Sequence, residues 1–254
     1  MQVKILGCSG GVGGVLRTTS MLIENDVLID AGTGVGDLPL EALLKIDHVF
    51  ITHTHMDHIA FLPLLLDTVM GLREEPITVY GSAEVITILK EHIFIWLVWP
   101  DFSLIPNPEN PLLIYKEMNV GDVVRLNARE ITALPVNHTV PAVGYQVNSG
   151  QASLAFTGDT AGCKAFWEYV NAIDNLKYLI IETAFSNAES ALALESKHLC
   201  PATLAIELAN LNSQPDIYIT HLKPGEGVRI MAEISQHPNT ADCIALRNQQ
   251  IFEL

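Results

Sequence analysis

Four metal-competent side chains lie within six positions of the chain: His53, His55, Asp57 and His58. They directly follow an apolar run, residues 48–52, that is typical of a buried strand. Alternate residues of an extended chain point the same way, so His53 and His55 can approach one ion together. Asp57 and His58 lie beyond the turn that follows the strand and can reach a second ion nearby. Satisfied polar turn residues are the alternative explanation, and the density of ligand types argues against it. We therefore predict a metal site at a strand end.

Three further residues have the same setting, each alone at the end of a strand-like run and before a turn. With the run that precedes each, they are His138 (131–135), Asp159 (153–156) and His221 (217–220). A single histidine at a strand end is more often structural than a ligand. Three such residues, in this order after the first cluster, favour one shared site.

The rest of the chain alternates short strand-like runs with helical patterns, without repeats or linkers. Strands are predicted over 1–6, 20–24, 27–29, 48–52, 77–80, 122–126, 131–135, 142–147, 153–156, 178–182, 217–220 and 243–246. Helices are predicted over 38–44, 59–70, 83–92, 164–171, 203–211 and 226–235, and 93–111 is the least regular segment. Strands dominate the start of each half and helices the end. This order favours an α+β fold, a four-layer αββα sandwich, as one domain over 1–254.

Composition limits the possible partners. Hydrophobic residues make up 49 % of the chain and charged residues 17 %, which excludes a disordered chain and predicts a large core. The net charge of −15 repels phosphate backbones, so we expect no extended nucleic acid partner. A phosphate substrate then needs a local positive charge, such as metal ions.

The location of the protein is predicted from what the chain lacks. The four cysteines form no C-x-x-C pair and are expected to be reduced thiols. Met1 begins a strand-like run without the pattern of a signal peptide, and the most apolar stretch, 93–99, is far shorter than the ~20 residues of a membrane span. We expect a cytoplasmic protein that does not engage a membrane.

The order of these motifs over nearly the whole chain resembles the metallo-β-lactamase superfamily: H-x-H-x-D-H, a lone histidine, an aspartate in T-G-D-T, and a last histidine. The resemblance implies the αββα sandwich with a dinuclear site at its edge. The implied ligands are His53, His55 and His138 for the first ion, Asp57, His58 and His221 for the second, and Asp159 as a bridge between both. It also implies that Asp30 orients a ligand histidine from behind. A ligand set of nitrogen and oxygen suits two divalent ions, Zn²⁺ first, with iron or manganese also open.

Two segments resemble the phosphodiesterase branch of this superfamily. Glu182, in E-T-A-F, precedes His198, in K-H-L. The resemblance implies that His198 protonates the leaving alkoxide, that Glu182 orients His198, and that Asp57 orients the attacking hydroxide. Two ions about 3.5–4 Å apart can supply that hydroxide and polarise a phosphoryl oxygen.

The substrate contacts are predicted from weaker signals. The segment 93–102 resembles one found in class II cyclic-nucleotide phosphodiesterases, where Trp99 could stack on a purine. An apolar cluster or a dimer patch around Trp96 and Trp99 is the alternative, and a homodimer is expected from it. Arg17 follows the glycine-rich loop 7–14 and could contact a phosphate, although a solvated arginine is equally compatible.

These observations favour a metal-dependent phosphodiesterase acting on 3′,5′-cyclic AMP, 3′,5′-cyclic GMP or a similar small phosphodiester. The first alternative is a tRNase Z-like 3′ tRNA-processing endonuclease, which ranks lower because the chain has no Lys/Arg-rich insertion to grip tRNA. The second is an inactive metal-binding scaffold or interaction module, which would be expected to have lost a ligand, whereas none of the seven is missing.

Overall fold

Sixteen strands and eight α-helices make up the fold in the computed structural model, which describes residues 1–254. The strands are β1 (Gln2–Gly7), β2 (Ser20–Ile23), β3 (Val27–Ile29), β4 (His48–Phe50), β5 (Ile77–Gly81), β6 (Pro106–Asn107), β7 (Asn110–Pro111), β8 (Leu113–Glu117), β9 (Val123–Leu126), β10 (Arg129–Pro135), β11 (Val143–Asn148), β12 (Ser153–Phe156), β13 (Leu176–Glu182), β14 (Asp216–Thr220), β15 (Ile244–Ala245) and β16 (Ile251–Glu253). The helices are α1 (Leu40–Leu43), α2 (Met56–Ile59), α3 (Leu62–Val69), α4 (Ala83–Ile88), α5 (Lys164–Val170), α6 (Ser190–Glu195), α7 (Pro201–Leu208) and α8 (Gly227–Ile234). No helix has both the length and the hydropathy that a membrane-spanning segment requires.

Two mixed sheets of seven strands each form the centre of the molecule. The first has the order β16-β1-β2-β3-β4-β5-β8 and the second β15-β14-β13-β12-β11-β10-β9. Three apolar clusters fill the spaces between four layers: one between the sheets, and one between each sheet and its own helices. The predicted α+β sandwich of four layers is therefore confirmed.

The period of strand β3 illustrates why the layers form. Val27 and Ile29 lie in the cluster between the sheets, whereas Leu28 between them lies in the cluster under the helices. Successive side chains of a strand point to opposite faces, so a strand with apolar residues on both faces must be covered twice. Helix α3 supplies part of the outer cover through Leu62 and Leu66.

The predicted helix over 59–70 is interrupted in the structure. Helix α2 ends at Ile59, and α3 begins at Leu62 with Pro63 in its first turn. A proline inside a continuous helix would clash with the carbonyl four residues earlier, whereas the first turn tolerates it. The backbone N–H of Phe61 instead donates to the carbonyl of Ala31 at 2.8 Å.

Other element predictions were incomplete. Strand β8, helix α6 and the final strand β16 were not predicted. The predicted last strand, 243–246, is reduced to two residues, and the chain continues to β16, which pairs antiparallel with β1. Val3 and Phe252 are partners in this pairing and both are buried between the sheets. A three-residue strand gains its stability from that long-range pairing, which a local pattern does not reveal.

Strand direction positions the site. Strand β10 runs antiparallel to β11, β11 runs antiparallel to β12, and β12, β13 and β14 are parallel. The carboxyl ends of β10, β12, β13 and β14 therefore meet at one edge of the second sheet. The end of β4 joins this edge from the first sheet, because the N–H of Val143 donates to the carbonyl of Thr52 at 3.0 Å.

Candidate metal centre

The loop between β4 and α2 carries the first half of the site. Strand β4 ends at Phe50 and α2 begins at Met56, so the chain turns sharply between them. His53 and His58 are fully buried, and His55 and Asp57 are half-buried at the rim.

All seven predicted ligand residues come together in the structure, in two groups that share Asp159. In each group the candidate ligand atoms lie within 4.8 Å of one another. One group is His53, His55, His138 and Asp159, and the other is Asp57, His58, Asp159 and His221.

A buried network behind the loop sets the orientation of two histidines. His58 Nδ1 donates to Asp30 Oδ2 at 2.7 Å, and the Thr52 hydroxyl donates to the same carboxylate at 2.8 Å. The Thr52 oxygen can then accept from His53 Nδ1 at 3.0 Å. In this tautomer the Nε2 atoms of His53 and His58 are turned toward the cluster, where both are buried and have no hydrogen-bond partner. Two orphaned lone pairs are the arrangement that metal ions would satisfy.

The second sheet contributes the other half of the site as single residues, each of which follows a different strand. His138 Nδ1 donates to the carbonyl of Lys197 at 3.2 Å, and His138 Nε2 faces His55 Nδ1 at 3.2 Å. His221 follows β14, and its backbone N–H donates to the carbonyl of Cys8 at 2.9 Å. Backbone groups, rather than carboxylates, hold these two histidines in place.

Asp159 lies between the two groups. Its carboxylate oxygens are 3.6 Å from His53 Nε2, 3.4 Å from His58 Nε2 and 3.2 Å from His221 Nδ1. Burial opposes its ionisation, but the neighbouring His221 and His58 hold the pKa of Asp159 well below its usual value. A buried carboxylate surrounded by nitrogen donors is suited to contact two cations at once.

Three of the ligand histidines favour the neutral form, whereas Asp159 and Asp30 outweigh the burial of His58 and raise its pKa well above its usual value. Burial lowers the pKa of His138 to about 4 and that of His221 to about 3. Burial also holds the pKa of His53 well below its usual value. Ligand histidines must be unprotonated, so these residues fit a metal centre at neutral pH.

The Glu182–His198 pair borders the same cluster. Glu182 ends β13, is fully buried, and accepts from His198 Nδ1 at 2.7 Å and from the N–H of Thr160 at 3.0 Å. The ring of His198 is centred 5.0 Å from that of His138 and 5.1 Å from that of His221. Burial alone would lower the pKa of His198, but the hydrogen bond and charge of Glu182 outweigh it and raise the pKa above its usual value.

The two predicted substrate contacts lie outside this cluster. Arg17 Nε donates to Asp37 Oδ2 at 2.8 Å, and its guanidinium also donates to the carbonyls of Gly14 and Leu16. Trp99 is half-buried against the cluster between the first sheet and its helices, and no ring contact joins it to the histidines. Their roles toward a substrate stay predictions.

Sequence reasoning missed three residues that support the site: Thr52, Lys197 and Lys223. Lys197 holds His138 twice, because its carbonyl accepts from the ring and its Nζ donates to the His138 carbonyl at 2.9 Å. Lys223 Nζ lies 3.4 Å from His221 Nε2. Each of the three is within two positions of a residue that the motifs marked, and this proximity was the available signal.

Gly10 explains why the glycine-rich loop can lie against the site. A Cβ atom at this position would lie 2.5 Å from the carbonyl oxygen of His221 and 2.8 Å from its ring carbon Cδ2. Any side chain here would displace His221, so the loop needs a glycine where it passes this ligand candidate.

Comparison with known proteins identifies the family. The model of the beta-lactamase superfamily domain matches residues 25–238 of the chain, which therefore belongs to this family, a class of metal-dependent hydrolases. The predicted membership of the metallo-β-lactamase superfamily is thus confirmed.

Individual relatives resemble the chain at lower identity. Ribonuclease BN of Cronobacter sakazakii is 28 % identical over 158 residues, which cover 58 % of this chain and 49 % of that protein. The chain thus spans about half the length of the curated relatives that it matches. The crystal structure of unliganded yeast PDE1 has a TM-score of 0.82 at 19 % identity and covers 100 % of this chain and 99 % of its own. The metallo-beta-lactamase fold protein YhfI of Bacillus subtilis has a TM-score of 0.77 at 18 % identity, with coverage of 100 % and 99 %.

Proposed function

We propose that the protein is a metal-dependent phosphodiesterase that hydrolyses a small phosphodiester, such as 3′,5′-cyclic AMP or 3′,5′-cyclic GMP. The observation that carries the proposal is the 2.7 Å hydrogen bond between Glu182 and His198, beside two groups of candidate metal ligands. A ribose alkoxide is a poor leaving group, so its departure requires a proton donor. Hydrolysis of a lactam or a thioester does not require this pair.

Two divalent ions are proposed as cofactors. When bound, they supply Lewis acidity toward the phosphoryl oxygen and lower the pKa of water that attacks phosphorus. The proposed ligands are His53, His55 and His138 for one ion, Asp57, His58 and His221 for the other, and Asp159 for both. The nitrogen and oxygen donors favour Zn²⁺, with iron and manganese as the other choices.

The side chains of the protein have separate tasks in this mechanism. Asp57, whose carboxylate lies 3.8 Å from His221 Nε2 at the rim, orients the attacking oxygen. His198 donates a proton to the leaving oxygen as its bond to phosphorus breaks. Glu182 holds the other ring nitrogen of His198, so that the donating nitrogen keeps its position. Asp30 and Thr52 fix the rings of His58 and His53, respectively, through hydrogen bonds to the Nδ1 atoms that face away from the cluster.

A tRNase Z-like 3′ tRNA-processing endonuclease is the second candidate, and the similarity to Ribonuclease BN favours it. The net charge of −15 argues against it, because a large nucleic acid would meet repulsion over most of the surface. An inactive scaffold is a weaker candidate, because all seven ligand candidates are present and assembled.

A homodimer in the cytoplasm is part of the proposal. Trp96, Leu97 and Val98 form a contiguous exposed apolar segment, which a second copy of the chain could cover. Sedimentation equilibrium of wild type and of a Leu97→Asp variant tests the dimer, which the variant should weaken. A wild-type protein that sediments as a monomer at all concentrations would contradict it.

A substrate panel on metal-replete protein tests the function. We expect turnover of cyclic nucleotides and of bis-p-nitrophenyl phosphate, and no cleavage of precursor tRNA. Chelator-treated protein is the matched control and should be inactive until metal is restored. Cleavage of precursor tRNA without cyclic-nucleotide turnover would select the endonuclease, and no turnover of any substrate would select the scaffold.

A further inference from the structure

A cleft of about 740 Å³ lies next to the metal centre, between the glycine-rich N-terminal loop and the segments after His221 and Leu246. Its volume is within the range of small-molecule sites. Three cationic side chains and one carboxylate line it, together with exposed apolar residues at its rim. These are Arg17, Lys223, Arg247, Asp37, Val15 and Val228.

The charge of this cleft contrasts with the rest of the molecule. The chain has only 14 basic residues against 29 acidic ones, yet three of the basic residues line this one cavity. The single carboxylate, Asp37, is already paired with Arg17 Nε at 2.8 Å. A concentration of positive charge inside an acidic protein is suited to attract an anion to one place.

Lys223 connects the cleft to the metal centre. Its Nζ donates to the carbonyl of Gly10 at 3.0 Å and lies 3.4 Å from His221 Nε2, while the residue also lines the cleft. Arg247 lies near the other end of the chain, after β15 of the second sheet. Its guanidinium is exposed and has no hydrogen bond to the protein. One cation is thus held beside the ligand candidates and another is free for a ligand.

We propose that this cleft binds a second phosphate group of the substrate, so that the favoured substrates are linear phosphodiesters that also carry a terminal phosphomonoester. The inference rests on the proposed phosphodiesterase function. Ammonium and guanidinium groups bind phosphate through charge-assisted hydrogen bonds, and guanidinium does so with two donors at once. The scissile phosphodiester lies at the metal centre, and the second phosphate reaches Lys223 and Arg247.

The reaction itself is a simple hydrolysis. Water adds its oxygen to the scissile phosphorus, the bond to the leaving oxygen breaks, and that oxygen receives a proton. The second phosphate is unchanged and contributes only binding. A cyclic nucleotide has a single phosphate, which would lie at the metal centre, so no phosphate would occupy the cleft.

The test compares two dinucleotides that differ only in a terminal phosphate: adenylyl-(3′→5′)-adenosine and its 5′-phosphorylated form. On metal-replete full-length chain, we expect kcat/KM to be about 10- to 100-fold higher for the phosphorylated dinucleotide. Arg247→Gln and Lys223→Met should each lower this ratio several-fold. Arg125→Gln removes the same charge from a side chain that is 71 % exposed on β9, outside the cleft, and should leave the ratio unchanged.

The outcomes separate this inference from the proposed function. Equal efficiencies on both dinucleotides in wild type, or a preference that survives both cleft variants, overturn the inference alone. If neither dinucleotide nor bis-p-nitrophenyl phosphate is hydrolysed, the phosphodiesterase proposal fails first. Metal content is measured for each variant, because Lys223 contacts His221. Arg247→Gln lies away from the ligand candidates, so its result decides the case if Lys223→Met loses metal.

Discussion

The two sheets contribute to the candidate metal centre in different ways. The first sheet provides four ligand candidates from one loop, 53–58, and a carboxylate network behind them formed by Asp30 and Thr52. The second sheet provides single residues from the ends of separate strands, such as His138 after β10 and His221 after β14. One half of the site is therefore local in sequence, and the other half depends on the register of a sheet.

This difference extends to the way each half is held. In the first half, side chains orient side chains, because Asp30 fixes His58 directly and His53 through Thr52. In the second half, backbone groups are the partners: the carbonyl of Lys197 for the ring of His138, and the carbonyl of Cys8 for the N–H of His221. Point substitutions should thus disturb the orientation of the first half more readily than that of the second.

Asp159→Ala should have the largest effect and tests whether the two halves form one centre. Asp159 comes from the second sheet but belongs to both ligand groups, so its loss should remove both ions and abolish hydrolysis. Elemental analysis of protein purified without chelator should approach two ions per chain for wild type and zero for the variant. Asp174→Ala, at an exposed position, is the control. Loss of only one ion would contradict the bridging role, and a reconstituted wild type with no metal would refute the centre itself.

His198→Ala separates metal binding from proton donation. The variant should keep its metal content and fold, yet lose about 10²–10⁴ in rate on a cyclic nucleotide, because the ribose alkoxide then leaves without a proton donor. On bis-p-nitrophenyl phosphate the loss should be small, because nitrophenolate leaves unprotonated. His92→Ala, at an exposed position, should match wild type on both substrates. An equal loss on both substrates would assign His198 a structural role, and an unchanged rate on both would show that it takes no part in the reaction.

Asp30→Asn tests the carboxylate network of the first half. The side-chain amide of the variant has one acceptor oxygen and one donor nitrogen, whereas both oxygens of Asp30 accept. The ring of His58 therefore loses its fixed orientation. We expect metal affinity to fall about 10- to 100-fold, measured by competition with a chromophoric chelator. Asp67→Asn, exposed on α3, provides the comparison. Wild-type affinity in Asp30→Asn would show that the network does not tune the ligands.

Arg129→Met addresses the contact between the sheets and should have the smallest effect. Arg129, at the start of β10, forms a two-point ion pair with Asp26, which precedes β3, and the two side chains are 11 % and 22 % exposed. Its removal should lower the free energy of unfolding by about 1 kcal/mol at neutral pH, measured by urea titration. Arg125→Met, from a more exposed pair, should change it less.

The same pair has a predicted pH dependence. The hydrogen bond from Arg129 lowers the pKa of Asp26 below its usual value of 3.8. A carboxyl with a lowered pKa in the folded state stabilises the protein above its usual pKa, and this contribution is lost as the pH falls through the lowered value. The difference between wild type and Arg129→Met should therefore narrow below pH 3.8. A difference that stays constant in acid would contradict an ionic contribution.

The sequence by itself determined the parts of the protein that depend on neighbours along the chain. The run 48–52 and the motif at 53–58 are local, and so are the strand ends before His138, Asp159 and His221. Local period and turn chemistry specify these elements. Their order favoured the αββα sandwich, and the resemblance of the motifs to the metallo-β-lactamase superfamily implied it. The Glu182–His198 pair was also available, because both residues lie in short motifs only 16 positions apart.

Only the tertiary structure decided the contacts between distant segments. The pairing of β16 with β1, the ion pair of Arg17 with Asp37, and the burial of Trp99 all depend on which surfaces meet after folding. The basic cleft is the clearest case, because Arg17 and Arg247 are separated by most of the chain. These contacts join segments that meet only after the chain has folded. The β16–β1 pairing also depends on register, because a one-residue change would turn every side chain of a strand to the opposite face, and local pattern does not fix that choice.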